Sequence, residues 1–278
     1  GVTTIKSHRL LDGREIDIYI PELNLGIEYN GSAFHATIGG AFKNKPKTYH
    51  RDKFLQAKKQ GIHLINIFDV DWENNQEKIK NYLKDLIVPP IKLYARKCVL
   101  RKITKKEANE FFDSYHLQGK TNSSSINYGL FYQDELVSVM GFGNVRYHKK
   151  SDEYELYRYC VKSGYTILGG AQKLLKHFET EYAPKRLVSY SDNDYFTGKI
   201  YEQLGFVFVK QCPLSYFWFY KNQEIKREAC QVKKLKVKYP ELYEQAQSAK
   251  NKEDYIMFEL GAKKVYRAGN TRWEKSYG

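Results

Sequence analysis

Apolar and polar residues alternate from Arg14 to Ile20, with Glu15, Asp17 and Tyr19 on one side and Ile16, Ile18 and Ile20 on the other. A period of two predicts a strand. Pro21-Glu22-Leu23-Asn24 predicts a turn, and Leu25 to Tyr29 the return strand of a hairpin. The period then changes. Thr48 to Gln60 reads as a helix stopped by Gly61, Ile62 to Phe68 as a buried strand, and Asn75 to Ile87 as an amphipathic helix. Pro89-Pro90 breaks the pattern, and a domain boundary is expected there.

Beyond the break, Cys98 to Ile103 reads as a strand, and Thr104 to Glu107 as a capping box opening a helix to Tyr115. Tyr128 to Tyr132 and Leu136 to Phe142 predict a second hairpin. Glu155 to Val161 predicts a strand, Gly164 to Gly170 a glycine-bearing loop, and Ala171 to Glu181 a helix. Leu187 to Ser191 reads as a strand, Thr197 to Leu204 as a helix, and Phe206 to Lys210 and Tyr216 to Tyr220 as strands. The last fifty residues read as basic and mainly helical, ending in a hairpin-like Lys264 to Trp273. These elements predict an α/β (α+β) chain with two mixed-sheet domains, 1–88 and 98–222, a linker at 89–97, and a basic extension at 223–278.

Composition narrows the function classes. Hydrophobic residues make up 42% of 278, enough for packed cores. Lys and Arg number 46 against 32 Asp and Glu, a formal charge of +14. Such a field favours phosphates or an anionic surface. No uncharged apolar run is long enough to span a bilayer, so no membrane partner is expected. The favoured partner is double-stranded DNA, with oligomeric state open. Cys98, Cys160, Cys212 and Cys230 are far apart and form no CxxC pair, which argues against a zinc ribbon. With no signal peptide, a reducing, cytoplasmic setting is expected. The chain starts without Met, as a fragment would.

Candidate chemistry concentrates near the first hairpin. Normal pairing would let Asp17 and Glu28 converge across it, as a Mg²⁺ or Mn²⁺ site requires. His35 could accept a proton from a metal-activated water. On the following helix, His50 and Lys53 share a face at i,i+3, where Lys53 could neutralise charge building on a phosphate.

Here the chain resembles a family. Asp17-Ile18-Tyr19-Ile20-Pro21, Gly26-Ile27-Glu28-Tyr29-Asn30-Gly31, Phe34-His35 and Tyr49-His50-Arg51-Asp52-Lys53 are similar to motifs of the PD-(D/E)XK nuclease superfamily. The nearest branch is that of very-short-patch-repair endonucleases and phage homing endonucleases. The resemblance covers roughly residues 8–88. It implies a restriction-endonuclease-like sheet, a metal on Asp17, a catalytic His35, and a DNA contact by Phe34; Asn30, beside them, is a further candidate DNA contact. Ile16 and Asn30 stand where the superfamily has Pro and Lys, which would move charge stabilisation to Lys53.

In the second domain, Gly164 to Ala171 leads into a helix whose free N–H groups can receive a phosphate. With Leu187-Val188-Ser189-Tyr190-Ser191-Asp192 and Ile200 to Phe206, the pattern resembles the GNAT acyltransferase fold. That resemblance implies an acyl-CoA loop at Gly169, Gly170 and Ala171, with Thr166 where the family has Gln or Arg. It also implies Tyr201 as proton donor to a departing thiol. Basic residues of the loop and tail, Arg146, Lys149, Lys233, Lys234, Lys236 and Arg267, are candidate DNA contacts.

The leading expectation is therefore a Mg²⁺-dependent DNA endonuclease or nickase of phage or mobile-element type, with acetyl-CoA the less favoured cofactor. The alternative is a GNAT-type acyltransferase acting on DNA or a protein, its first domain only binding DNA. A third is a DNA-binding protein without catalysis.

Overall fold

The chain begins with β1 (Ile5–Leu11), antiparallel to β2 (Arg14–Ile20), which pairs with β3 (Leu25–Asn30) so that Ile18 faces Ile27 across the hairpin. This computed structural model describes residues 2–11, 13–146, 152–221 and 223–277. A short helix, α1 (Ser32–His35), follows, then α2 (Tyr49–Lys59) and β4 (His63–Phe68), which runs parallel to β3. Leu11, Ile16, Ala57, Ile62 and Leu64 are buried together between this sheet and α2. Alternation is not strict: Tyr19 is buried and Ile18 is 37% exposed. Tyr19 stacks on His8 and bonds the Asn24 side chain at 3.2 Å, contacts outside the local pattern.

Helix α3 (Asp69–Ile87) loses helical backbone at Asn75, where φ is −138°. The chain divides there. One unit comprises Gly1–Asn74, Asp192–Thr197 and Gln211–Asn270; the other comprises Asn75–Ser191, Gly198–Lys210 and Thr271–Gly278. This division differs from the linear one expected from Pro89-Pro90.

The second unit continues with β5 (Ile91–Tyr94), β6 (Val99–Lys102), α4 (Lys105–Tyr115), β7 (Ile126–Tyr132), β8 (Glu135–Asn144), β9 (Glu153–Val161), β10 (Tyr165–Leu168), α5 (Gly170–Tyr182), β11 (Arg186–Asp192), α6 (Lys199–Gln203) and β12 (Val207–Gln211). The capping box forms: the Glu107 N–H donates to Thr104 Oγ1, and the Thr104 N–H to Glu107 Oε2. Leu174, Leu175 and Phe178 of α5 are fully buried, each stabilising by about 2 kcal/mol. Residues 91–94, expected as linker, form a strand. So do residues 165–168, expected as loop, because the two segments pair in parallel, Ile91 with Tyr165 through Tyr94 with Leu168.

The chain returns to the first unit as β13 (Tyr216–Tyr220), β14 (Gln223–Ile225), α7 (Val232–Lys238), α8 (Pro240–Gln245), α9 (Lys252–Glu259) and β15 (Lys263–Tyr266). Here Trp218, Cys230, Leu235, Ile256 and Met257 form a core. The final strand, β16 (Asn270–Ser276), enters the seven-stranded sheet β12-β16-β11-β9-β8-β7-β6, while β15 pairs with β13. The expected hairpin from Lys264 to Trp273 is thus replaced by two strands in different sheets. Gly198, at φ +84°, lets α6 start against Trp273; a Cβ there would stand 2.2 Å from the indole.

Candidate active site

In the first unit, the residues singled out by sequence do meet. The Lys53 ammonium lies 2.5 Å from Glu28 Oε2, both side chains almost fully buried. Asp17 sits beside them but is exposed; its carboxylate accepts the Tyr29 N–H at 2.8 Å. The rings of His35 and His50 meet at a tilt of 35°, with centroids 5.1 Å apart. Burial, reinforced by the Lys53 charge, holds His35 down to about 4, and burial and neighbouring cations hold His50 down to about 3. Burial raises Glu28 to about 6 even against the pull of Lys53. Asn30 is 1% exposed, whereas Phe34 is 62% exposed.

The second unit builds a different arrangement. Strands β9 and β11 run parallel, but their ladder extends only from Glu153–Arg186 to Leu156–Ser189. Beyond that pair β9 continues to Val161 and β11 to Asp192. A bulge sits at the parting point: Phe142 of β8 opposes Leu156 and Gly141 opposes Arg158, so Tyr157 is the extra residue. Bulges bend the strand and end pairing, which is what separates β9 from β11 here.

Polar side chains gather at this apex. Ser189 Oγ donates to the Leu156 carbonyl at 2.8 Å and lies 2.9 Å from the Tyr201 hydroxyl. The Tyr201 ring stacks on Trp273, and burial pushes its hydroxyl up, so it keeps its proton. Glu155, 1% exposed, is raised by burial, with Arg146 pulling it back through an ion pair of 3.0 Å. Arg158, two residues past the last ladder pair, donates Nε to the Gly119 carbonyl and Nη1 to that of Tyr157.

Helix α5 follows β10 and packs on β7 and β8 of the same sheet. Its N-cap, Gly169, is left-handed (φ 76°), no side chain caps the helix, and its first turn holds no acid. A Cβ on Gly170 would stand 2.9 Å from Ile167, so glycine lets the helix start close to β10. Ala171 is buried. Lys173 donates to the carbonyls of Ala95 (2.9 Å) and Cys98 (2.6 Å), which fixes the Ala95–Lys97 turn onto the helix start. Arg96 and Lys97 of that turn are exposed. Thr166 lies within β10, whose edge is taken up by β5. The residues present fit an acyl-CoA: an edge of β9 past Leu156 that pairs with no strand among the described residues, for an amide-bearing arm, and the amides of Gly170, Ala171 and Gln172 with two cations for a diphosphate.

No family model matches the chain, and no curated protein does. Solved structures do match. Part of this chain is similar in fold to GNAT-family acetyltransferases. A GNAT acetyltransferase from Elizabethkingia anophelis with acetyl-CoA bound is 14% identical, covering 65% of this chain and 99% of its own, with a TM-score of 0.35. The IAA acetyltransferase of Bacillus cereus ATCC 14579 is 13% identical over 65% and 99%, at 0.33. Aminoglycoside 6'-acetyltransferase type Ii is 14% identical over 64% and 96%, at 0.35. At these values the functional argument rests on this chain's own geometry.

The endonuclease expectation is corrected. Among the described residues, no group of three or more His, Cys, Asp or Glu side chains is placed to hold a metal ion. Glu28, expected as a ligand of Mg²⁺ or Mn²⁺, is instead neutralised by Lys53 in a buried pair. The Mg²⁺ or Mn²⁺ site is therefore given up, and the hydrolase and phage-nuclease expectations fall with it.

The basic candidates scatter. Lys233, Lys234 and Lys236 are exposed on α7, which Leu235 anchors in the core. Arg267 is not available to a ligand: it forks onto Asp71 at 2.7 and 2.8 Å, between the rings of Phe68 and Phe217. Lys149 lies outside the described residues. The sequence reading passed over Glu155 and Arg158. The available signal was charge inside a strand otherwise built of Tyr154, Leu156, Tyr157, Tyr159 and Val161. Among the described residues no helix is long and apolar enough to cross a membrane.

Proposed function

We propose that the second unit is an acyltransferase that moves an acyl group from acyl-CoA to an amine. One observation carries this reading: β9 and β11 part after Leu156–Ser189, with the Tyr201 hydroxyl at the apex, and the same unit holds the uncapped start of α5. When bound, acyl-CoA supplies an activated thioester. Gly170, Ala171, Gln172, Arg96 and Lys97 would hold its diphosphate, and the open edge of β9 would orient its amide-bearing arm. Tyr201 holds a proton for a departing sulfur, and burial keeps that proton in place at neutral pH. Glu155, with its proton affinity raised by burial, is the carboxylate suited to take a proton from the amine.

The first unit serves as a nucleic-acid grip in this reading. Lys233, Lys234, Lys236 and Lys238 are all exposed on α7. Such charges release counterions on meeting phosphates.

Removing the Tyr201 hydroxyl tests the chemistry. Tyr201→Phe keeps the ring on Trp273 and should lower kcat for CoA release from acetyl-CoA about 100-fold, with acetyl-CoA affinity unchanged in calorimetry. Wild-type protein that neither binds acetyl-CoA nor releases CoA would refute the reading.

A further inference from the structure

The apex of the cleft is richer in cations than an acceptor site for a basic amine should be. Arg146 stands over the rings of Tyr157 (5.0 Å) and Tyr190 (5.9 Å) while pairing with Glu155. Arg158 comes next along β9, and its Nη2 has no hydrogen-bond partner among the described residues. Burial disfavours its charge, and the nearby Arg146 charge adds to that cost. One carboxylate, Glu155, therefore faces two guanidinium groups. Further positive charge comes from Lys78, which with Arg158 and burial keeps His116 neutral. The neighbouring Asp113 is engaged by Lys120, at 3.6 Å and through the Lys120 N–H. A half-buried guanidinium with donors to spare is costly unless an anion completes it, and planar guanidinium forks match phosphate oxygens. A lysine side chain brought to this apex would meet repulsion instead.

Resting on the acyltransferase reading of the same cleft, we infer that its acceptor carries a phosphate, bound by Arg158 and Arg146, next to the amine that is acylated. Phosphodiester of a nucleic acid and phosphate of a free nucleotide share this chemistry.

The test separates the inference from the reading beneath it. Adenosine, adenosine 5'-monophosphate, a short single-stranded oligonucleotide and a lysine-bearing peptide are each titrated into the full chain without acetyl-CoA. They are then offered as acceptors with labelled acetyl-CoA. Expected is binding of the monophosphate or oligonucleotide but not of adenosine, about 10-fold weaker or worse in Arg158→Gln and partly restored in Arg158→Lys. With transfer active, the loss in Arg158→Gln falls on KM rather than kcat, and acetyl-CoA affinity is unchanged. Preference for the oligonucleotide over the monophosphate assigns the phosphate to a nucleic acid, and the reverse to a nucleotide. Arg146→Gln, at a half-exposed position, repeats the test should Arg158→Gln fail to fold. Label on the peptide alone, equal binding of adenosine and its monophosphate, or unchanged affinity in both variants would overturn the inference. Failure to bind acetyl-CoA alongside phosphate-dependent binding would instead refute the acyltransferase reading and leave the anion site standing.

Discussion

In the first unit, the buried Lys53 ammonium meets the buried Glu28 carboxylate at 2.5 Å, and His35 and His50, tilted against each other, are kept neutral by burial beside them. In the second, buried Glu155 shares a parted pair of strands with Arg146, Arg158 and the Tyr201 hydroxyl. The first set is closed: its opposite charges answer one another within a sheet whose ladder between β3 and β4 runs unbroken from Leu25 to Asn30. The second is left open: the ladder of β9 with β11 stops at the Tyr157 bulge, and Arg158 Nη2 keeps its donors without a partner among the described residues. Convergence of charged residues is therefore a poor guide to chemistry. What separates a stabilising pair from a site is whether charge and backbone are already answered within the chain.

The largest effect should come from breaking the closed set. Lys53→Met strands the Glu28 carboxylate in the core and should cost about 3–5 kcal/mol, read as a lower urea midpoint for the first unit. A loss below about 1 kcal/mol would mean the pair is solvated, and the contrast between the two units would weaken.

Acid should reach the same set in a defined direction. His35 and His50 are held to about 4 and about 3 against an ordinary 6.5. Their contribution is full above pH 6.5 and is lost as pH falls through those values. Glu28, raised to about 6 from 4.5, acts oppositely, its contribution being full below 4.5 and lost as pH rises to 6. Two imidazoles outweigh one carboxyl, so the urea midpoint should fall from pH 6.5 towards 4. His50→Gln should flatten that fall, and an unchanged pH profile in the variant would remove His50 from the account.

The smallest effect on folding belongs to α7. Replacing Lys233, Lys234 and Lys236 with Gln should change stability by less than about 0.5 kcal/mol. The same change should reduce the salt slope of duplex DNA binding by up to about 3, measured by anisotropy at several salt concentrations. An unchanged slope would place any nucleic-acid contact elsewhere.

Local signals carried much of this fold into view. The hairpin at Pro21, the capping box at Thr104 and the glycine before α5 all lie within a few residues of what they control. Three features escaped because their causes are distant in sequence. Tyr165–Leu168 becomes a strand only because Ile91–Tyr94 pairs with it. The lysine-rich tail hides Trp218, Leu235 and Met257, which close a core in the first unit. The meeting of Asp17, Glu28 and Lys53 was visible, but the buried ion pair that closes it was not, since a sequence shows which charges are near and not which are paired.

The central claim is that the parted strands and the α5 start receive an acyl-CoA. Hydrogen exchange with and without saturating acetyl-CoA tests it most directly. The account predicts slowed exchange at the amides of residues 157–161 and 170–172, with residues 25–30 and 63–68 of the first unit unchanged. Identical exchange at 157–161 and 170–172 with and without acetyl-CoA would contradict it.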